Sequence, residues 1–288
     1  MLYESAPLRL GHYNRLEVIK ELDFGLYLDG YDGEEILIPR VYVPEGTQIG
    51  DFLEVFIYRD SEDRLIATTL KPYATVGEFA YLKVKDVSKL GVFLDWGLMK
   101  DLLVPFGEQT HKMGLGRSYL VYIYVDEESE RIVASAKLDK FLENDTSKFT
   151  EGQEVSLIPY EYTDLGIKAL IDKRTIGVIY KSEVFQEVIL GEITKGFVKK
   201  IRTDTKIDLA LIKQGYDRID NVKSQIYALL ISKEGFLPYT DKTDSEIIYR
   251  DLQMSKKDFK KAIGGLYRDG KVKLQNDGIY INKWQPLT

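Results

Sequence analysis

Cysteine is absent from the 288-residue chain. That excludes disulfides and thiolate-ligated metals, and it suits a reducing compartment. Histidine is nearly absent as well. His12 and His111 stand far apart without metal-ligand spacing, and each reads as a surface residue. Long apolar runs are missing: none approaches the roughly 18 residues of a membrane-spanning helix, and no basic-then-apolar signal pattern opens the chain. No glycine loop has the spacing that cradles phosphate. Acidic runs such as Asp126-Glu127-Glu128 fall where a turn is expected and read as solvated loop. These absences point to a cytoplasmic protein that is not an enzyme, with no catalytic residues, cofactor, metal site or membrane partner.

The net charge of −6 argues against an obvious polyanion binder, but the average hides a gradient. Residues 1–70 hold 6 basic and 14 acidic side chains, residues 71–145 hold 10 and 12, residues 146–213 hold 11 and 10, and residues 214–288 hold 13 and 10. A polyanion is repelled by the first quarter and tolerated by the second half.

What the chain has is glycine in a lattice. Gly25, Gly91 and Gly166 are each preceded fourteen residues earlier by glycine (Gly11, Gly77, Gly152) and followed twenty-five later by another (Gly50, Gly116, Gly191). Glycine at fixed positions implies fixed backbone needs, such as tight turns, positive φ or strand bends. The phrases around the zero position agree: FGLYLDG at Phe24–Gly30, LGVFLDWG at Leu90–Gly97, and a drifted LGIKAL at Leu165–Leu170. Fourteen past zero stand Pro39, Pro105 and Tyr180, each after a short apolar stretch. Each unit closes on a matching segment, Arg64–Thr69, Arg131–Lys137 and Lys206–Lys213.

Each unit reads as five short strands with alternating apolar and polar residues, broken by Gly, Pro or Asp. In the second unit they fall at Phe79–Val84, Gly91–Asp95, Leu102–Pro105, Tyr119–Val125 and Arg131–Ala136. Five strands in about 65 residues suit a small closed barrel of the OB type, whose second and third strands carry the oligonucleotide face.

This pattern resembles the S1-type RNA-binding domain. The resemblance rests on Asp23-Phe24-Gly25-Leu26-Tyr27-Leu28, on Leu90-Gly91-Val92-Phe93-Leu94, and on Gly177-Val178-Ile179-Tyr180-Lys181-Ser182, where Tyr180 takes the place of that family's histidine. Pro39 and Pro105 depart from it in the first two units. Three such units followed by a helical domain are similar to the bacterial conserved virulence factor B family. That resemblance implies an RNA-binding regulator of gene expression, linked to virulence.

Strand alternation turns Tyr27, Phe93 and Lys168, two past zero, outward on the presumed face. Tyr27 and Phe93 are candidate base-stacking rings; the alternative is that they cover barrel surface or pack on a neighbouring barrel. Phe24 and Trp96 are expected in interdomain packing, and Phe56, Tyr122 and Phe197 on a structural or interdomain face. In the third unit Lys168, Tyr180, Lys181, Lys199, Lys200 and Arg202 place basic groups around a ring, as phosphate and base contacts require, with Asp204 and Asp208 nearby to temper the field.

Beyond Lys213 the apolar period becomes helical. Val222, Ile226, Leu229 and Leu230 mark a first helix that ends at Gly235, Asp244–Leu252 a second, and a third begins at Ser255 with Asp258 three residues on. That third helix would bury Phe259, Ile263 and Leu266 and expose Lys256, Lys257, Lys260 and Lys261. Gln275-Asn276-Asp277-Gly278 between apolar segments signals a hairpin. Three helices and a hairpin read as a winged helix, in which the third helix meets nucleic acid. No Arg, Asn or Gln stands among the four lysines to read base edges, so backbone contact is expected. Gly264-Gly265 inside this helix lowers its stability.

The expected fold is therefore mainly β with an α/β tail: OB barrels at 1–70, 71–145 and 146–214, then a winged helix at 215–288. The expected function is non-catalytic binding of single-stranded RNA through the third barrel and the winged helix. The acidic first two barrels would serve as spacer, clamp or protein-partner surface. A winged-helix DNA-binding transcription regulator whose barrels contact proteins or a ligand is the second reading, and an RNA-processing enzyme with carboxylate chemistry the third.

Overall fold

The computed structural model describes residues 7–282 apart from 32, 144, 182, 183, 185, 186 and 213–215. Ser182, Lys213 and the domain boundary expected at 214/215 lie outside the described residues.

The first barrel consists of β1 (Tyr13–Leu22), β2 (Gly25–Asp29), β3 (Glu35–Pro39), β4 (Phe52–Arg59) and β5 (Leu65–Thr68). The second consists of β6 (Phe79–Val87), β7 (Gly91–Asp95), β8 (Leu102–Pro105), β9 (Ser118–Val125) and β10 (Ile132–Ser135). The third consists of β11 (Glu154–Tyr162), β12 (Gly166–Ile171), β13 (Thr175–Tyr180), β14 (Thr194–Ile201) and β15 (Ile207–Ala210). All three close in the same order, with the first strand between the second and fourth, and the fifth parallel to the third. Alternation fills each interior. In the first barrel Leu16, Val18, Leu26, Leu28, Ile36, Ile38, Val55 and Ile57 are buried, each contributing about 1.5–3 kcal/mol.

The glycine lattice has two physical causes. At the zero position a Cβ would lie 2.2 Å from the Ile38 carbonyl oxygen at Gly25, 2.1 Å from that of Val104 at Gly91, and 2.0 Å from that of Ile179 at Gly166. The second strand of each barrel thus starts against a neighbouring carbonyl with no room for a side chain. The six flanking glycines all take positive φ, from 74° at Gly11 to 93° at Gly50. Their N–H groups close turns onto the barrel strands, as in Gly50 to Val18 O at 2.8 Å, Gly116 to Val84 O at 2.9 Å and Gly191 to Pro159 O at 2.7 Å.

One repeated feature left no residue signature. Each first strand is irregular six residues before the zero glycine, at Ile19, Lys85 and Tyr160. Such bulges bend a strand and tighten its twist, which lets a five-stranded sheet close.

The C-terminal part holds α1 (Tyr216–Ser232), β16 (Phe236–Leu237), α2 (Ser245–Leu252), α3 (Lys256–Arg268), β17 (Val272–Leu274) and β18 (Ile279–Ile281). The sheet order is β16-β18-β17; β16 is too short for an alternation to reveal. Asp244 caps α2, and Ser255 caps α3 by accepting from the Asp258 N–H. Phe259, Ile263 and Leu266 are buried as expected. At Gly265 a Cβ would lie 2.2 Å from Cε of Lys223, whose ammonium reaches Asp269 at 3.0 Å; this flexible side chain can move aside, so the contact does not by itself require glycine. Nothing in the structure explains Gly264. Among the described residues no helix is long and apolar enough to cross a membrane.

The chain divides into two compact units, Met1–Leu142 with barrels one and two, and Glu143–Thr288 with barrel three and the helical domain. In the first unit Phe56 and Tyr58 of β4 join the core cluster of barrel two, and Phe56 meets Trp96 edge-on at 5.8 Å. The expected interdomain packing thus holds for Trp96 and Phe56. Phe24 is different: it is 56 % exposed and meets the Tyr27 ring edge-on at 6.3 Å. Its place in a two-residue turn between β1 and β2 lifts it off the barrel. Tyr122 stacks on Phe141 at 4.1 Å within the second barrel, and Phe197 is half-buried on β14.

Two substitutions separate the glycine roles. Gly166→Ala is expected to destabilise the second unit by about 2–4 kcal/mol in chemical denaturation, whereas Gly264→Ala, with nothing within 4 Å of the added methyl, should stabilise it by about 0.5–1 kcal/mol. A pH effect follows from Glu108. Burial pushes its carboxyl up, but the Lys140 ammonium at 2.8 Å and the Ser135 hydroxyl outweigh that and hold it below the usual carboxylate range. A depressed folded-state pKa contributes stability above the unfolded value and loses it as pH falls through the folded one. Denaturation midpoints from about pH 6 down to about pH 3 should therefore fall more for the parent than for Glu108→Gln.

Candidate nucleic-acid interface

The register of the third barrel sets one belt of outward residues. Glu161 pairs across from Lys168, Lys168 from Val178, Val178 from Asp208, and Asp208 from Lys200. Charges of opposite sign alternate along it. Lys168 forms an ion pair with Glu161 at 2.8 Å, and Arg202 Nε bonds Asp208 at 2.8 Å. The hydrogen bond and charge of Asp208 hold the Arg202 guanidinium still more firmly protonated. The expected cluster of five basic groups around a ring is therefore divided, because carboxylates on adjacent strands lie within ion-pair distance of two of them. Lys181 and Lys200 are exposed with no side-chain partner among the described residues. Lys199 is the extra residue of an irregularity between Val198 and Lys200.

Tyr180 ends β13 directly across from Gly166. The facing position carries no side chain, so one side of the half-buried ring is left uncovered from β12. Arg202 lies over the ring with Cζ 5.6 Å from its centre and donates from Nη2 to the phenol oxygen. Asp208 thus orients Arg202, and Arg202 orients Tyr180. In barrels one and two the same register puts Pro39 across from Gly25 and Pro105 across from Gly91, which offers no ring.

In the helical domain Lys257, Lys260 and Lys261 are exposed and Lys256 is half-buried. None of the four has a carboxylate partner among the described residues, in contrast to Lys168. They stand on the first turns of α3, spanning about 7.5 Å at 1.5 Å per residue. Lys273 on β17, which the sequence reading passed over, is exposed as well. The hairpin that carries it was legible in the sequence. Barrel three and this domain touch: Tyr249 of α2 donates to the carbonyl of Val184, four residues after Tyr180, at 3.1 Å.

In the first unit Tyr27 and Phe93 are half-buried, between buried neighbours, as alternation requires. Lys20 Nζ lies 5.0 Å above the Tyr27 ring. Phe93 lines a cleft between barrels one and two.

Comparison with known proteins agrees with this architecture. The S1 domain family matches residues 10–70 and 76–137, and the CvfB-like winged helix domain family matches residues 224–281. The S1 match covers barrels one and two; barrel three shares their strand order and glycine positions. Uncharacterized protein YitL of Bacillus subtilis is 30% identical over 290 residues, covering 97% of this chain and 96% of that protein. Conserved virulence factor B of Staphylococcus haemolyticus is 24% identical over 283 residues, covering 95% of each. A crystal structure described as a multidomain protein with nucleic acid binding domains, from Streptococcus pneumoniae, is 26% identical, covering 94% of this chain and 98% of that one, with a TM-score of 0.44. S1 and winged-helix domains are nucleic-acid-binding modules, and neither is a known catalytic domain.

Proposed function

Because the chain belongs to the conserved virulence factor B family, we propose that it is a non-catalytic, cytoplasmic RNA-binding protein that regulates gene expression after transcription. Single-stranded RNA contacts barrel three and the winged helix. One observation carries this reading: a single compact unit holds both the Tyr180 ring braced by Arg202 and four α3 lysines without carboxylate partners among the described residues. The division of labour follows from the charges. The α3 lysines neutralise phosphates, which supplies affinity without sequence preference. Tyr180 offers a stacking surface worth about 1–3 kcal/mol per base. Lys181 and Lys200 add phosphate contacts beside it. Lys168 and Arg202 are held by carboxylates, but exposed pairs of this kind contribute little and exchange partners readily, so RNA can take Lys168 from Glu161. Arg202 keeps Asp208 and acts as the brace of the ring. The acidic first unit repels a polyanion and is left for protein partners.

Lysines on a winged-helix third helix also suit duplex DNA, which favours the second reading of a transcription regulator. A salt titration with labelled single-stranded RNA and duplex DNA of equal length separates the two: tighter RNA binding is expected, and tighter duplex binding would overturn the proposal. With an RNA that lacks a 5′ phosphate, Tyr180→Ala should weaken binding about tenfold and more than Phe93→Ala; equal losses would contradict the assigned roles. Replacing Lys256, Lys257, Lys260 and Lys261 by Ala should reduce the slope of log affinity against log salt by up to about 3. Glu161→Gln should raise RNA affinity by freeing Lys168.

A further inference from the structure

We infer that barrels one and two together form a composite site for a single nucleotide, with its base against Phe93 and its phosphate at Lys100. The site is distinct from the surface proposed in the second unit, and it is built from both barrels.

Three contacts create it. The turn between β4 and β5 of barrel one reaches over the β7, β8 and β10 face of barrel two. Arg59 donates to the carbonyl of Glu130 at 3.3 Å and meets its carboxylate at 3.4 Å. Arg131 forms an ion pair with Asp63. Lys100 Nζ donates to the carbonyl of Asp60 at 2.6 Å. The face on which an OB barrel ordinarily lays a strand is thereby walled on one side, and what remains is a cleft of about 250 Å³. That is just below the about 300–1,000 Å³ typical of small-molecule sites, and it lies between two domains, where such sites concentrate. It has room for one base and not for a stacked run.

Its chemistry is that of a planar ring with one negative group. Phe93 offers a π-face, and Leu102, Leu103, Ile132 and Val133 supply apolar surface. Lys100 is the telling residue. It is half-buried, its one acceptor is a neutral carbonyl, and among the described residues no carboxylate stands within ion-pair distance of it. Burial pulls its pKa down, the condition that a bound anion relieves. The cleft's carboxylates do not oppose an anion with free charge: Asp63 is paired with Arg131, and Asp101 with Lys85 at 3.0 Å. Arg59 and Arg131 stand at the rim, their charges matched by Glu130 and Asp63, which leaves Lys100 as the cation for the anion. A nucleoside monophosphate meets these demands, whether free or as the phosphorylated end of an RNA strand.

The test uses the cleft's own indole. Trp96 lines the cleft, and Trp284 is the only other tryptophan, so Trp284→Phe leaves Trp96 as the reporter. Adenosine and uridine monophosphates should change its fluorescence saturably, with adenosine binding at least tenfold more weakly than its monophosphate. Lys100→Met and Phe93→Ala should each weaken binding at least tenfold, and Lys100→Arg should retain it; thermal melts check that every variant folds. If the mononucleotides give no response but a 5′-phosphorylated RNA decamer does, in a manner dependent on Lys100, the strand end is the ligand. No saturable response to either probe, equal binding of adenosine, or indifference to Lys100→Met in a folded variant would overturn the assignment.

Discussion

Each barrel closes because one strand begins against a neighbouring carbonyl at a residue that has no side chain. At Gly25, Gly91 and Gly166 a methyl group would lie within 2.2 Å of that oxygen, far inside contact distance. The same omission bares the residue across the register. Where that residue is proline, as at Pro39 and Pro105, the bareness has no chemical use. Where it is Tyr180, a half-buried ring is left with one side uncovered. The constraint that shapes the barrel is therefore also the one that bares the Tyr180 ring.

Electrostatics divide the second unit into two kinds of positive charge. On barrel three the cations alternate with carboxylates, and Lys168 and Arg202 are engaged. On α3 four lysines have no such partner among the described residues. The mosaic is suited to orientation, because a paired guanidinium such as Arg202 is held in place over Tyr180. The unpaired helix is suited to long-range attraction, because its field is not cancelled locally. Free and braced positive charge thus rest on different elements, joined through the Tyr249–Val184 hydrogen bond.

The first unit solves a different problem. Phe56 and Tyr58 leave the surface of barrel one for the core of barrel two, so the two are not independent beads. The turn that follows them, with Arg59, Asp60 and Asp63, lies over what would otherwise be an open face. Barrel two gives up a strand-length surface, and the remaining space is a cleft of about 250 Å³. The acidity of residues 1–70 adds to this by disfavouring a polyanion over barrel one.

Much of this was legible in the chain itself. The glycine lattice, strand alternation and helical period located the three barrels, the capped α3 and the hairpin, because each is a local backbone requirement with a fixed spacing. The S1 phrases placed Tyr180 and Lys168 on the outward face for the same reason. The ion pairs of Lys168 and Arg202 were not legible, since they depend on register between strands distant in sequence. Nor was the bulge before each zero glycine, which Ile19, Lys85 and Tyr160 fill without a common chemistry. Phe24 and Trp96 carry the same expectation of interdomain packing, yet one is exposed and the other buried, because only the second meets a neighbouring barrel. Sequence determined the modules, their order and their outward faces, since periodicity and backbone sterics act locally. Tertiary structure alone decided which cations are free and which face is covered, since both depend on groups that meet only after the chain has folded.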